Sequence, residues 1–565
     1  MAAPPTSSPN AEGLRPEHVR QAVLVLGMAL ALMLAFGLRA PRLAERPMHT
    51  DESVHAIKFI GLLESGRYVY DPHEYHGPSL YYATLPAAWL TGAKRGADLT
   101  ETTLRSLPLV FGVGLLLLLP LTARGLGRGA TLAAAWLLAV SPMMVFYSRY
   151  FIHELLLVFF TYAAIACGWR YLRGRRVGWL LAGGAALGLM QATKETFVFC
   201  VAAAGFGLAG TWVLNRWWPV RGASEREGEG SGTATAFLAS GRRFRAWHLV
   251  LAGLVTAGVS VVLFSSFFTH PQGWWQGPLD SIRTYAPWLS RAGGESPHIQ
   301  PWPFYLERLL WWQIEDGPRF TEAAVIGLAL VGIVAAGTGR GLGRTDPGLA
   351  RFLALYTLAL TAVYTVIAYK TPWCALGFYH GFILLAGVGT GVLWRWWRPA
   401  GARALLLLAA AGAGLHLSVQ ACHAAFTLAS DPRNPWVYAH TAKDLLRLVE
   451  RVQGVAAHHP DPARMVVKVM APGGDYWPLP WYFRNLANVG YWPAVPEDPF
   501  ADVVVVNSRI APPLDDLSEK EWIMAGFYQQ RPPKVFLTLY AKFAEWKTYI
   551  ESLPPPSDDE DEDEE

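Results

Sequence analysis

Charge is what this sequence has least of. Of its 565 residues only 16% are Asp, Glu, Lys or Arg, against 52% hydrophobic and 13% aromatic. That balance excludes a strongly solvated or disordered chain as a whole. The basic residues form no stripe with interleaved aromatics and the net charge is only +4, so a nucleic-acid partner is excluded. Cysteine is scarce as well: Cys167, Cys200, Cys374 and Cys422 all fall inside apolar blocks without CxxC spacing. They make neither a disulfide framework nor a zinc ribbon and read as small core residues. Internal repeats are absent, and the acidic groups sit at helix ends, which argues against a solute transporter.

What is present is apolar residues in long blocks, with a mean hydropathy of +0.22. The blocks are long enough to cross ~30 Å of hydrocarbon. They fall near 21–40, 104–122, 130–147, 153–171, 177–192, 196–215, 247–268, 321–338, 351–369, 373–394 and 403–425. The fold expected is a polytopic α-helical membrane protein of about 11 transmembrane helices with a small C-terminal extracytoplasmic α/β domain. The first block lacks a cleavage site and is too long for a signal-peptide core, so it reads as a retained helix. Arginines mark alternate short loops: Arg124 and Arg128; Arg170, Arg173, Arg175 and Arg176; Arg216, Arg221, Arg242, Arg243 and Arg245; Arg340 and Arg344; Arg395, Arg398 and Arg403. With the N-terminus inside, every one of these loops is cytoplasmic and the C-terminal domain lies outside.

The expected divisions are a cytoplasmic segment 1–20, a transmembrane domain 21–426 with outer loops 41–103 and 269–320, an outer domain 427–549, and an acidic tail 550–565. Ser79–Leu90 and Trp302–Trp312 read as interfacial. In the outer domain Val466–Met470, Asp502–Asn507 and Val535–Tyr540 read as strands and Asp444–Val452 as a helix. Glu519–Gln529 reads as a second helix, with Ser518 and Glu521 as a capping box. The tail, with residues 1–15 and 222–240, is expected to be disordered or flexible. An Arg- and Ala-rich, lysine-poor composition fits a prokaryote, and so a cytoplasmic (inner) membrane.

Polar residues that could carry chemistry gather on the non-cytoplasmic side. Asp51 and Glu52 open the first outer loop after His49 and Thr50, and precede His55. Two readings stand together: acidic residues favoured at a helix N-terminus capped by Thr50 or Asp51, and carboxylates for a base or a metal. His73, Glu74 and His76 could hold a divalent cation or wall a cavity. Arg149, His153 and Glu154 sit at helix mouths, where they face a cavity or form an Arg149–Glu154 ion pair. Lys194–Glu195 and Lys370 add cations suited to an anionic group. The candidate metal set is Asp51, Glu154, His73 and His76, with Mg or Mn as the candidate ion. Trp477, Trp481, Tyr482, Tyr491 and Trp492 could stack on sugar, or form the outer domain's own core.

At these residues the chain resembles the GT-C superfamily of membrane glycosyltransferases. Within it the sequence is most similar to a prokaryotic flippase-activity-associated family of archaeal N-glycosylation. The carriers are His-Thr-Asp-Glu-Ser (49–53), Ser-Arg-Tyr-Phe-Ile-His-Glu (148–154), Thr-Lys-Glu-Thr (193–196), Tyr-Lys-Thr-Pro-Trp (369–373), Asn-Pro-Trp-Val-Tyr (434–438) and Asp-Tyr-Trp-Pro-Leu-Pro-Trp-Tyr (475–482). The resemblance implies a polyprenyl-phosphate-linked sugar as donor, a glycan, lipid or protein acceptor, and inverting transfer at the outer face. Asp51 would be base or metal ligand and Glu52 and Glu154 supporting acids. Arg149, Lys194 and Lys370 would hold the lipid phosphate, with His55, His76, His153 and Glu195 also contacting substrate. No DxD occurs in the early outer loops, and both metal-dependent and metal-free mechanisms stay open. The alternative is a non-catalytic factor that binds a lipid-linked glycan or assists its translocation.

Overall fold

Uninterrupted apolar runs leave the backbone one way to satisfy its own polar groups in hydrocarbon, the helix. The computed structural model describes residues 16–72, 76–220, 246–284, 298–510, 512, 514 and 521–554. Among them every expected span is helical. In chain order the helices are α1 (Pro16–Arg39), α2 (Thr50–Ser65), α3 (Ser79–Leu90), α4 (Glu101–Leu126), α5 (Arg128–Val140), α6 (Pro142–Tyr147), α7 (Glu154–Gly174), α8 (Val177–Gln191) and α9 (Phe197–Trp217). There follow α10 (Ala246–Phe264), α11 (Phe304–Leu310), α12 (Ala323–Thr338), α13 (Pro347–Val366), α14 (Leu376–Trp396) and α15 (Ala400–Cys422). Eight of the helices are long and apolar enough to cross a membrane, and α5, α8 and α12 are shorter apolar helices. The chain is a polytopic helical membrane protein.

Small residues let the spans approach closely. A Cβ on Gly389 would meet the Leu328 carbonyl oxygen at 1.9 Å, and one on Gly332 would meet that of Leu385 at 2.2 Å, so α12 and α14 touch backbone to backbone. At one end of the bundle Arg173 lies in the field of Arg124, Arg170 and Asp346, as the alternating arginines require.

The C-terminal domain has the expected α/β character. Its sheet has the order β2-β1-β3-β5-β4, with β1 Val466–Met470, β2 Asn488–Trp492, β3 Val503–Asn507, β4 Trp522–Arg531 and β5 Val535–Lys542. Strands β2, β1 and β3 are parallel; β5 runs antiparallel between β3 and β4. Helices α16 (Asp444–His458) and α17 (Phe543–Glu551) complete the domain. The expected helix over Glu519–Gln529 is instead strand β4 from Trp522 onward, and Ser518 lies outside the described residues. Trp522, Ile523, Phe527 and Tyr528 favour a pleated surface, and pairing with β5 outweighs a three-residue capping signal. The expected flexible segments 1–15 and 222–240 lie outside the described residues, as does the tail from 555 onward.

The domain is docked on the first loop. Tyr482 Oη accepts from Met48 N at 2.8 Å, and Trp481 Nε1 donates to Glu101 at 2.7 Å. Arg484 donates to the Gly96 and Leu99 carbonyls at 3.0 and 2.7 Å, and Thr441 Oγ1 donates to Met48 O at 2.7 Å.

Candidate functional site

Glu52 anchors the region. It is fully buried and accepts from Arg105 Nε and Nη2 at 2.8 Å each, Arg46 Nη2 at 2.8 Å, His49 N at 3.1 Å and Phe151 N at 3.0 Å. Burial alone would raise its pKa, but Arg105 and Arg46 hold the carboxyl down at about 2. Five donors leave no lone pair for a substrate. Glu52, expected as a supporting catalytic acid, ties together the segment before α2, the start of α4 and the 149–151 turn. The N-cap of α2 is His49, not Thr50 or Asp51, with His49 Nδ1 accepting from Asp51 N at 3.0 Å.

Asp51 differs. Its side chain is 33% exposed, and the nearest ion-pair partner is His49 Nδ1 at 4.0 Å. Its charge acts on His298, Tyr150 and Tyr369. Around it stands an aromatic wall: His49 lies 5.3 Å from Tyr150 and 5.9 Å from Trp373, Trp373 lies 5.9 Å from Tyr438, and His298 lies 4.8 Å from Tyr369. His298 Nδ1 and the Tyr438 hydroxyl are 2.9 Å apart.

Trp373 lines a small cavity of about 20 Å³ together with Glu154, Lys194, Cys200, Cys374 and Tyr364 among others. Glu154 and Lys194 form a buried ion pair inside it. The alternative Arg149–Glu154 pair does not form. Cys200 and Cys374 line this cavity, while Cys167 is a buried core residue as expected.

Beside the pair, His55, His76 and His153 cluster with ring centroids 4.6 to 6.3 Å apart. Glu195 accepts from His76 Nδ1 at 2.7 Å and from the Tyr70 hydroxyl at 3.0 Å. His153 Nε2 lies 3.0 Å from Gly77 O. The turn at Gly77 is glycine because a Cβ would meet the Ala192 carbonyl oxygen at 2.3 Å. Burial and neighbouring histidines push His55 and His153 well below the ordinary imidazole range, so both are neutral at pH 7.

The other expected phosphate-binding cations are already engaged. Arg149 is buried and donates to the carbonyls of Arg39 at 2.6 Å and Arg42 at 2.9 Å, and also to Pro41, at the end of α1. Lys370 is buried and donates to Gln300 O at 3.2 Å and to Ile367 O. Both were expected to hold the lipid phosphate; among the described residues both spend donors on main-chain carbonyls.

Of the expected metal set only Asp51, Glu154 and His76 fall among the described residues. His73 lies outside the described residues, Glu154 is paired with Lys194, and Asp51 and His76 share no metal-like cluster. Among the described residues one such cluster exists, His459, Asp502 and Glu545 in the C-terminal domain. There His459 Nδ1 accepts from Asp461 N at 3.0 Å, which leaves the proton on Nε2, facing the two carboxylates.

Arg46, Arg105 and His440 were not singled out by sequence, and Trp436 only as a member of the Asn-Pro-Trp-Val-Tyr motif. Arg46 Nη1 lies 3.1 Å from His440 Nε2, and Trp436 O accepts from the Tyr147 hydroxyl at 2.9 Å. A signal existed: Arg39, Arg46, Arg105 and Arg149 lie at the helix ends opposite those carrying the alternating arginines, where a positive charge needs a reason. Of the aromatics proposed for sugar stacking, Trp481 is buried and Tyr482 is bonded to Met48, so both serve docking. Tyr491 packs on the domain's own core, 4.9 Å from Tyr476.

Comparisons with known proteins extend this geometry. The family model described as dolichyl-phosphate-mannose-protein mannosyltransferase matches residues 74–270. No curated protein matches. Among solved structures, ArnT from Cupriavidus metallidurans in the apo state is 15% identical with a TM-score of 0.58, covering 95% of this chain and 100% of that one. The same protein bound to undecaprenyl phosphate gives 15% and 0.57 over the same coverage. The Archaeoglobus fulgidus oligosaccharyltransferase in its apo form is 14% identical with a TM-score of 0.52 over 84% of this chain, which spans 64% of that protein's length. The chain shares its fold with ArnT and with the Archaeoglobus fulgidus oligosaccharyltransferase.

Proposed function

We propose that this protein is a membrane glycosyltransferase that moves a glycosyl group from a polyprenyl-phosphate-linked donor to an acceptor at the outer face of a prokaryotic cytoplasmic membrane. The N-terminus is inside and the C-terminal domain outside. The observation that carries the reading is Asp51: a partly open carboxylate with no Lys or Arg ion-pair partner among the described residues, beside an aromatic wall on a fold shared with membrane glycosyltransferases. Such a group accepts a proton from an acceptor hydroxyl or amine. The acceptor atom then attacks the anomeric carbon, the bond from that carbon to phosphate oxygen breaks, and the lipid phosphate departs with the electron pair. Attack opposite the leaving group inverts the configuration. The Glu154–Lys194 pair behind Trp373 supplies polar walls, and the mannosyltransferase-family match and the undecaprenyl phosphate held by ArnT support the donor class.

Asp51→Asn tests this directly. Transfer from a polyprenyl-phosphate sugar should be lost while the protein stays folded in detergent; wild-type turnover by the variant would sink the role. A second reading draws on the engagement of Arg149 and Lys370 with carbonyls. It makes the chain a non-catalytic, flippase-associated factor for a lipid-linked glycan. Purified protein would then transfer nothing from any donor, and its loss would trap lipid-linked glycan on the cytoplasmic leaflet.

A further inference from the structure

Four guanidinium groups at the Asp51 end of the bundle are bonded to main-chain carbonyls or to Glu52. Arg39 donates to Ala139 O and Leu138 O at 2.8 and 2.9 Å; Arg46 and Arg105 hold Glu52; Arg149 caps α1. Arg308, on α11, differs. Its one hydrogen bond is from Nη1 to Phe304 O in its own helix, at 3.1 Å. Its Nε is buried and lacks an acceptor among the described residues. The acidic group acting on it is its exposed chain neighbour Glu307, and no described carboxylate forms an ion pair with it.

The side chain is nonetheless held firmly. Its guanidinium lies 3.7 Å from the Phe304 ring centre and 4.4 Å from that of Trp312, so aromatic faces fix the group. Its other electrostatic neighbours are the hydroxyls of Tyr147, Tyr438 and Tyr305. Tyr438 is part of the wall around Asp51: its carbonyl lies 3.1 Å from His49 Nε2 and its ring 5.9 Å from Trp373. Burial lowers the Arg308 pKa to about 10, which still leaves the group charged at neutral pH. A half-buried, charged, ring-fixed guanidinium whose buried Nε has no acceptor, and which has no ion-pair partner among the described residues, is completed by an anion. Its planar fork matches a phosphate oxyanion.

We propose that Arg308 is the anion-binding residue of the Asp51 recess and receives the phosphate oxyanion of its ligand. This deepens the glycosyltransferase reading by naming what holds the donor phosphate, but it concerns binding and does not require turnover. The expectation that this tryptophan-rich stretch only rests at the membrane interface is thereby extended to a ligand role.

The test uses the full-length protein in detergent and measures the affinity of farnesyl phosphate, farnesol and inorganic phosphate by tryptophan fluorescence. Thermal unfolding without ligand is measured alongside. Farnesyl phosphate should bind the wild type and farnesol should not compete. Arg308→Gln should weaken farnesyl phosphate by about tenfold or more, and Arg308→Lys by less. Because the charge is unpaired, Arg308→Gln should unfold at the same temperature as wild type or higher. Unchanged affinity in Arg308→Gln overturns the proposal, and so does a variant that fails to fold, since that makes Arg308 structural. Equal, Arg308-dependent binding of inorganic and farnesyl phosphate would keep the site but assign it to the free anion. Arg308-dependent binding in a protein that transfers no sugar would keep the site and sink the enzyme reading instead.

Discussion

Asp51 and Glu52 are adjacent in sequence and opposite in environment: Glu52 is fully enclosed by Arg105 and Arg46, while the Asp51 side chain is 33% exposed and faces the aromatic wall. Being N2 and N3 of one helix turns their side chains about 100° apart. Two chemically similar residues therefore do different work. Removing the Glu52 charge strands two buried cations and should cost about 3–5 kcal/mol. Glu52→Gln is expected to lower the unfolding temperature in detergent sharply, whereas Asp51→Asn should leave it within a degree or two of wild type (~0.5 kcal/mol). Equal losses in the two variants would contradict this division.

The Glu154–Lys194 pair invites a double-mutant cycle. Lys194→Met alone leaves a buried carboxylate uncompensated and should destabilise by about 3 kcal/mol. Adding Glu154→Gln should recover much of that loss. An additive double variant would show that the two groups do not interact.

Acid should destabilise the protein through its histidines. His49, His55, His153 and His440 all have pKa values pushed below the ordinary imidazole value, with burial as the first cause. Each takes up a proton more readily unfolded than folded. Their contribution to stability is complete above the unfolded value of about 6.5 and is lost as pH falls from there toward the folded values. The unfolding temperature should therefore drop between pH 7.5 and 5.5. His153→Gln should flatten this slope.

Gly77→Ala should matter more than its size suggests. The added methyl would meet the Ala192 carbonyl oxygen at 2.3 Å, within the loop contact made by Gly77 N to Thr193 O at 3.1 Å. An overpacked backbone contact costs about 1–3 kcal/mol. Limited proteolysis should cut the first loop faster in the variant; Gly66→Ala, where the added Cβ meets no atom within 4 Å, supplies a comparison for left-handed strain alone.

The transmembrane architecture was legible because hydrocarbon imposes long apolar runs, and α1, α4 and α7 to α10 follow those runs closely. Strand β4 was not, since a capping pattern is local while strand pairing with β5 is a long-range fact. At the candidate site the sequence located the right loops but not the burial of each group. Arg149 and Lys370 look like ligand-binding cations until the carbonyls around them are known, and Arg308 looks like an interfacial arginine until its missing partner is. Arg105 could have been suspected, because it breaks the rule that placed its fellow arginines at the other ends of the helices.

The docking of the C-terminal domain has a consequence for the order of synthesis. Thr441 and His440 contact Met48 and Arg46 across separations of 393 and 394 residues, and Trp481 reaches Glu101. A growing chain whose early helices are already inserted still carries an unfinished Asp51 recess. Its wall closes only after Tyr438 and the domain behind it have emerged and folded.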